Sequence, residues 1–180
     1  GPMGYSCAGE VIAVADDVYD FKVGDNVACG GEGAYHADIV SVYKNLCVKI
    51  PKSVDLKFAA ITTVASIAIQ GIRQAELTFG ETAVVIGLGL IGQLTMQILE
   101  ASGIKAIGVD ISQAQVDLAN KIGIGKSYLR NREDLEGVIK ELTKGYGSDA
   151  ILITAGTSSL DPVEFAGAIA RRKAKVVIVG

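Results

Sequence analysis

Tryptophan is absent and histidine occurs once, at His36, in a chain of 180 residues. A single imidazole excludes any site built on two or three, the His-Glu-x-x-His hydrolases and the two-histidine iron oxygenases among them. Cysteine is sparse too. Cys7, Cys29 and Cys47 are odd in number, far apart and never in a Cys-x-x-Cys pair. That pattern argues against a disulfide framework and a zinc knuckle, suits a reducing, cytoplasmic compartment, and reads most simply as small buried hydrophobes. No apolar run reaches the roughly 20 residues of a membrane-spanning helix. The longest, 58–72, is interrupted by Thr62, Thr63, Ser66 and Gln70, and no basic region followed by an apolar stretch opens the chain. With Lys and Arg at 17 against Asp and Glu at 20, no broad basic face exists. Neither nucleic acid nor membrane is an expected partner. Gly1-Pro2 reads as a protease-cleavage scar, so 1–3 stand outside the fold argument.

Glycine is abundant, at 22 residues against three prolines, which points to many backbone positions needing room or positive φ. From 8 to 50 the pattern is short β-like runs between turns, at 10–15, 26–29, 35–43 and 46–50, a fragment of a small all-β unit. Ser53 is placed to cap a following helix that is apolar on more than one face, hence buried, with a break near Thr62-Thr63. After Thr78 strands alternate with helices. Strands are expected at 83–86, 106–109, 127–129, 150–154 and 175–179, mostly solid apolar runs suited to a parallel sheet covered on both faces. The helices between them carry start signals: Ser112 with Gln115 as a capping box, Asn131 before Glu133-Asp134, and Asp161 before Pro162. Arg171-Arg172-Lys173 is expected to decorate a helix C-terminus. The fold class is α/β, a doubly wound parallel sheet of the Rossmann type.

The strand at 83–86 runs into Gly87-Leu88-Gly89-Leu90-Ile91-Gly92 and then a helix. In this G-x-G-x-x-G motif the first glycine makes the tight turn, the second lets a pyrophosphate approach the backbone, and the third lets helix pack on strand. The phosphates then rest on the free N–H groups at the helix start. Asp110 follows Gly92 by 18 residues, at the end of the next strand. A carboxylate there accepts hydrogen bonds from a ribose diol and repels a 2′-phosphate, so NAD is expected in preference to NADP. Ile111-Ser112-Gln113 offer no cation to receive that phosphate. Simple capping of the next helix is the competing role for Asp110, and close packing the competing role for the glycines. Ligands in this sheet type lie at the carboxyl ends of strands, which adds Ile111, Thr154, Ala155, Gly156 and Gly180 to the expected lining.

With these residues placed, 4–180 resembles the medium-chain dehydrogenase/reductase superfamily, the alcohol-dehydrogenase-like enzymes with a GroES-like substrate domain. The segments that carry the likeness are Gly4-Tyr5-Ser6-Cys7-Ala8-Gly9-Glu10-Val11, Phe21-Lys22-Val23-Gly24-Asp25-Asn26-Val27, 35–50 with Pro51, and the glycine motif. More narrowly the chain resembles the dehydrogenase half of two-part bacterial oxidoreductases associated with polysaccharide gene clusters. The resemblance implies a partial GroES-like domain at 4–53 and a Rossmann NAD-binding domain at 54–180 that lacks its last strand, a fragment of an enzyme with a small-molecule substrate that forms a homo-oligomer when intact. It also implies where zinc would sit, and the chain departs there. Zinc members have Gly-His-Glu where this chain has Gly4-Tyr5-Ser6, and a ligating cysteine near Val64. A zinc-independent member is therefore expected, similar in that respect to the quinone-reductase branch.

Without zinc, a hydrogen-bond donor must stabilise charge on the substrate oxygen. Tyr5, Ser6, Tyr35, His36 and Thr63 are the candidates the resemblance offers, each with a plain structural role as its competitor. The expected activity is hydride transfer between NAD(H) and an alcohol or carbonyl, a sugar derivative among the substrates considered. A dinucleotide-binding module without chemistry, or a quinone or enoyl reductase, is the alternative.

Overall fold

A computed structural model describes residues 3–179, and the chain divides into two compact units, Gly1–Ser66 and Ile67–Gly180. In the first unit β1 (Ser6–Glu10), β2 (Asn26–Gly30) and β3 (Cys47–Lys49) form an antiparallel sheet in that order. Val27, Cys29 and Ala34 are its buried centre, with Cys7, Val11, Phe21, Val42 and Cys47 packed around them. Two expected strands are corrected here. The run at 10–15 is not a strand, because the chain turns after Val11, which exchanges backbone bonds with Gly24 and Asp25. The run at 35–43 is irregular, since the N–H groups of Tyr35 and Ala37 are spent on carbonyls two residues back.

The helical stretch begins at α1 (Leu56–Ala59), capped by Asp55, which accepts from the Lys57 N–H at 2.8 Å, rather than by Ser53. It breaks at Ala60-Ile61 and resumes as α2 (Thr62–Ala75), whose Thr62 hydroxyl donates to the Ala59 carbonyl. The expected burial is confined to small residues, Ala59, Ala68, Gly71 and Ala75, while Phe58, Ile61 and Ile69 are exposed. Small side chains permit the closest approach of a helix: a Cβ on Gly71 would lie 2.7 Å from Val179. The division between the units falls inside α2, later than the Ser53 boundary expected from the change of pattern. Up to that point the chain is tied to the small sheet, through Ser6 to the Ala60 carbonyl and Thr63 to the Cys29 carbonyl.

In the second unit the order is β4 (Thr82–Ile86), α3 (Leu90–Ala101), β5 (Lys105–Asp110), α4 (Gln113–Ile122), β6 (Lys126–Leu129), α5 (Leu135–Leu142), β7 (Ser148–Ile153), α6 (Asp161–Ile169) and β8 (Ala170–Ile178). The strands are all parallel, in spatial order β6-β5-β4-β7-β8. Alternation assigns the two faces. Val84, Ile86, Ile107, Val109, Ile151 and Ile153 pack against Leu135, Ile139, Phe165 and Ile169 of α5 and α6. Ala83, Val85, Ala106 and Leu152 pack against Met96, Leu99, Val116 and Ala119 of α3 and α4. The chain winds outward from β4 on one side, then returns to add β7 and β8 on the other. That reversal opens the crevice where ligands of such sheets bind, at the carboxyl ends of β4 and β7.

The helix starts differ from the local sequence signals. Ser112 occupies the N-cap of α4 but its side chain makes no capping bond. Asp134, not Asn131, caps α5, accepting from the Gly137 N–H, and Leu160 precedes α6 while Asp161 is its first residue. Arg171-Arg172-Lys173 does not decorate a helix end. Regular pairing with β7 runs only from Lys175, and these residues form a bulge, with Lys173 at φ 65°, between that ladder and the Ser148–Ala170 pair. The bulge lets Arg171 reach Asp149 at 2.5 Å and Glu81 at 3.2 Å.

Two outcomes follow from this packing. Phe165 is almost fully buried beneath the Arg130 guanidinium, which lies 4.1 Å from its ring centre. Phe165→Ala is expected to cost about 3–5 kcal/mol of unfolding free energy in urea; a loss below about 1 kcal/mol would show that the site collapses around the missing ring. In the first unit the Lys49 ammonium, 2.9 Å away, and then the Lys22 N–H hold the Asp25 carboxyl below the usual carboxylate range. A lowered pKa in the folded state gives stability that is present above the unfolded value of about 3.9 and lost as pH falls through the folded one. Lys49→Met should flatten that acid limb in pH-dependent unfolding, and an unchanged limb would remove the pair from the account.

Candidate functional site

The glycine turn connects β4 to α3, and its three glycines meet three different surroundings. Gly87 is at φ 97°, and a Cβ there would lie 2.7 Å from the Ala155 nitrogen, so both conformation and space demand glycine. Gly92 is buried where a Cβ would overlap the Gly87 carbonyl oxygen. Gly89, the N-cap of α3, has nothing within 4 Å of such an atom and no side-chain capping bond. Two glycines are thus required by the fold, and the middle one leaves open space over a helix start whose N–H groups no side chain caps. That is the arrangement an anionic group needs.

Around the turn the chain supplies its own scaffold. Asp110, at the end of β5, accepts from the Leu88 N–H at 2.5 Å through one oxygen and from the Ser112 N–H at 2.7 Å through the other. It is therefore tied both to the glycine turn and to the start of α4. A carboxylate offers about four lone-pair directions, so two remain for a ligand hydroxyl. Leu88 itself is wholly buried, packed toward Gly108, and contributes only backbone. Leu90 and Ile111 are exposed and Ile91 is half-buried. Thr154 and Ala155 lie beside Gly87, with the Thr154 hydroxyl donating to the Gly87 carbonyl at 2.6 Å, so Thr154 fixes the turn. Gly156 is exposed, with space around it, and Gly180 lies outside the described residues.

Two residues here escaped the sequence reading. Gln93 is buried, and its amide nitrogen donates to the carbonyls of Leu88 and Gln115 at 3.1 Å each, locking the turn to α4. A polar residue on the helix stripe that carries Met96 was the available signal. Arg130 follows β6, and its N–H donates to the Asp110 carbonyl at 2.8 Å, a placement only sheet pairing shows. Its guanidinium is held by Asp161 at 2.6 and 3.0 Å.

The candidate donors all belong to the first unit. Ser6 donates to the Ala60 carbonyl at 2.6 Å and Thr63 to the Cys29 carbonyl at 3.4 Å, the Thr63 side chain lying where Gly30 leaves room. His36 is exposed, with its ring lying over Gly4, while Tyr5 is 47% exposed and Tyr35 half-buried. Among the described residues no group of three or more His, Cys, Asp or Glu is disposed to hold a metal ion. No helix among them is long and apolar enough to cross a membrane.

The family model described as zinc-binding dehydrogenase matches residues 91–180, from inside the glycine motif onward. The chain belongs to that family, within the medium-chain dehydrogenases/reductases. D-guloside 3-dehydrogenase of Escherichia coli K12 is 33% identical over 156 residues, which are 86% of this chain and 44% of that protein. The crystal structure of 2R,3R-butanediol dehydrogenase from Bacillus subtilis superimposes with a TM-score of 0.84 at 26% identity, over 98% of this chain and 57% of that one. Escherichia coli quinone oxidoreductase complexed with NADPH shares the fold, with a TM-score of 0.79 at 22% identity over 97% and 54% of the two chains. The chain spans about half the length of these relatives. Zinc does not fit the chemistry of Tyr5, Ser6 and Val64: a phenol, a hydroxyl already committed to a carbonyl, and an alkyl group.

The contrast between the glycines is measurable without any ligand. Gly92→Ala should lower unfolding stability by about 1–3 kcal/mol through overpacking, while Gly89→Ala should stay within about 1 kcal/mol, the usual cost of alanine at an N-cap. Equal losses by urea unfolding would mean that the middle glycine also serves the fold alone.

Proposed function

We propose that this chain is the nucleotide-binding part of an NAD(H)-dependent oxidoreductase that moves a hydride between the nicotinamide and an alcohol or carbonyl substrate, with sugar derivatives the favoured class. The observation that carries the reading is the Asp110 carboxylate, fixed by the Leu88 and Ser112 N–H groups beside an uncapped helix start and an open Gly89. Nicotinamide supplies the hydride chemistry when bound. The chain's part is to hold the dinucleotide: the first turn of α3 receives its pyrophosphate, and Asp110 accepts from the adenosine ribose diol. Arg130, whose N–H bonds to the Asp110 carbonyl across the β5–β6 pairing, is neutralised by Asp161 and so offers little to a 2′-phosphate. The sugar class is supported by the name of the D-guloside dehydrogenase relative.

On the substrate side no zinc is expected, and a donor from the chain takes over the stabilisation of the oxygen. Of the five candidates, Ser6 and Thr63 have hydroxyl protons committed to main-chain carbonyls, which leaves Tyr5, Tyr35 and His36 as the donors to test. The intact enzyme is proposed to be a homo-oligomer in the cytoplasm.

Fluorescence titration with NADH and separately with NADPH tests the cofactor. NADH should bind at least tenfold more tightly, a difference of about 1.4 kcal/mol, and Asp110→Asn should erase most of it while the chain still unfolds cooperatively. A preference for NADPH would end the role given to Asp110. Saturable binding without turnover of any alcohol or carbonyl by the longer protein would favour a module without chemistry, and binding of neither nucleotide would sink the reading altogether.

A further inference from the structure

The three cysteines, scattered in sequence, lie in one row across the small sheet. Cys7 pairs with Cys29 between β1 and β2, and Cys29 pairs with Cys47 between β2 and β3. Directly paired residues in a sheet project to the same face, and all three thiols are free. The two pairings differ in kind. Antiparallel ladders alternate between hydrogen-bonded pairs, with Cα atoms about 5.5 Å apart, and non-bonded pairs at about 4.5 Å. The Ile50 N–H donates to the Asn26 carbonyl, so Asn26 and Ile50 form a bonded pair and alternation makes Cys29–Cys47 a narrow, non-bonded one. Val11 bonds to Asp25 and Gly31 to Tyr5, which makes Cys7–Cys29 a wide, bonded pair. The Cys29 and Cys47 sulfurs are 3.6 Å apart, against about 2.05 Å in a disulfide. The remaining closure falls on β3, a three-residue edge strand with Val48 and Lys49 exposed.

We propose that Cys29 and Cys47 are a reversible dithiol that exchanges with low-molecular-weight disulfides, glutathione disulfide being the type, and closes to a cross-strand disulfide while Cys7 remains free. Cys47 reacts first, since it is partly exposed where Cys29 is buried, and its thiol rests only on the Cys29 sulfur and the Tyr43 carbonyl, 3.4 Å away. Its thiolate attacks one sulfur of the small disulfide, that S–S bond breaks, and one thiol leaves. The Cys29 thiolate then attacks the Cys47 sulfur of the mixed disulfide and expels the second thiol. Two electrons pass from the cysteines to the small disulfide, and the two cysteine protons end on the departing thiols. The second step is the slow one, because burial, and next the neighbouring Cys47 thiol, push the Cys29 thiol up to about 12. No metal competes for the row in this reading, since these thiols are not disposed as a metal-holding group.

The test is oxidation of the reduced, folded chain with glutathione disulfide at about pH 8, where ordinary thiols are partly ionised, followed by alkylation, mass spectrometry and peptide mapping. The expected product is lighter by about 2 Da before alkylation, joins the Cys29 and Cys47 peptides, leaves Cys7 as the one alkylated thiol, and reverts with dithiothreitol. Cys7→Ser should give the same product. Cys29→Ser should stop at a glutathionyl adduct on Cys47, and Cys47→Ser should form no intramolecular disulfide. A Cys7–Cys29 link as the main product, an intermolecular dimer, or thiols that react only in urea would each overturn the proposal. The wild-type map is decisive even if a cysteine variant fails to fold.

Discussion

The Gly87 carbonyl oxygen sits where a side chain on residue 92 would have to be, and the geometry of the second unit follows from that close approach. Because α3 starts against this carbonyl, its axis comes down onto β4 and β5 closely enough for Met96 and Leu99 to be sealed in the core. The same oxygen is held by the Thr154 hydroxyl, and Thr154 in turn sits one residue beyond β7 with its N–H on the Ile86 carbonyl. One peptide group thereby joins two strands and a helix at the point where the strand order reverses. The open space there is a by-product of tight packing: with two glycines consumed by sterics, Gly89 is left facing space, over a helix end that no side chain satisfies.

How much of this was legible in the sequence depends on whether a feature is local. The β4–turn–α3 motif and Asp110 were readable because strand period, glycine spacing and the interval to the acid are all short-range patterns. The parallel sheet was readable from solid apolar runs such as Ala150 to Ile153. Apart from the helix caps, where Asp55 and Asp134 rather than Ser53 and Asn131 accept the bond, what failed needed partners far away. The strand expected at 35–43 has the right residues but no neighbouring strand to pair with. Arg171-Arg172-Lys173 looks like helix-end charge until Asp149 and Glu81, remote in sequence, appear beside Arg171. Gln93 and the cysteine row were invisible for the same reason. Gln93 is meaningful only when α4 presents the Gln115 carbonyl, and Cys7, Cys29 and Cys47 only when register aligns them.

The two units use their polar groups in contrasting ways. In the second, the Asp110 carboxylate, the Thr154 hydroxyl and the Gln93 amide are each fixed by another part of the chain, so a bound dinucleotide would meet a preorganised surface and little ordering would oppose its binding. In the first, the hydroxyls that resemblance offers for chemistry are turned inward to main-chain carbonyls, and the exposed phenol of Tyr5 and imidazole of His36 sit at a chain segment without regular structure beyond β1 and β2. Binding is therefore far better specified than chemistry.

Asp110 is where a structural role and a functional one have to be separated. A carboxylate serving only as a cap needs a single oxygen, and the Ser112 N–H takes one. The second oxygen reaches back 22 residues to the Leu88 N–H, in the turn itself. This second bond fixes negative charge next to a helix start that favours anions, so the fold itself favours the carboxylate there. An asparagine would accept from one N–H and present a donor to the other, so it would loosen the turn and remove the negative charge that repels a 2′-phosphate. What the two backbone bonds do not use are the carboxylate's remaining lone pairs, which hydroxyl donors can meet. A vicinal diol a few ångströms from the phosphate it is attached to, as in a ribose ester, matches both halves of the site at once.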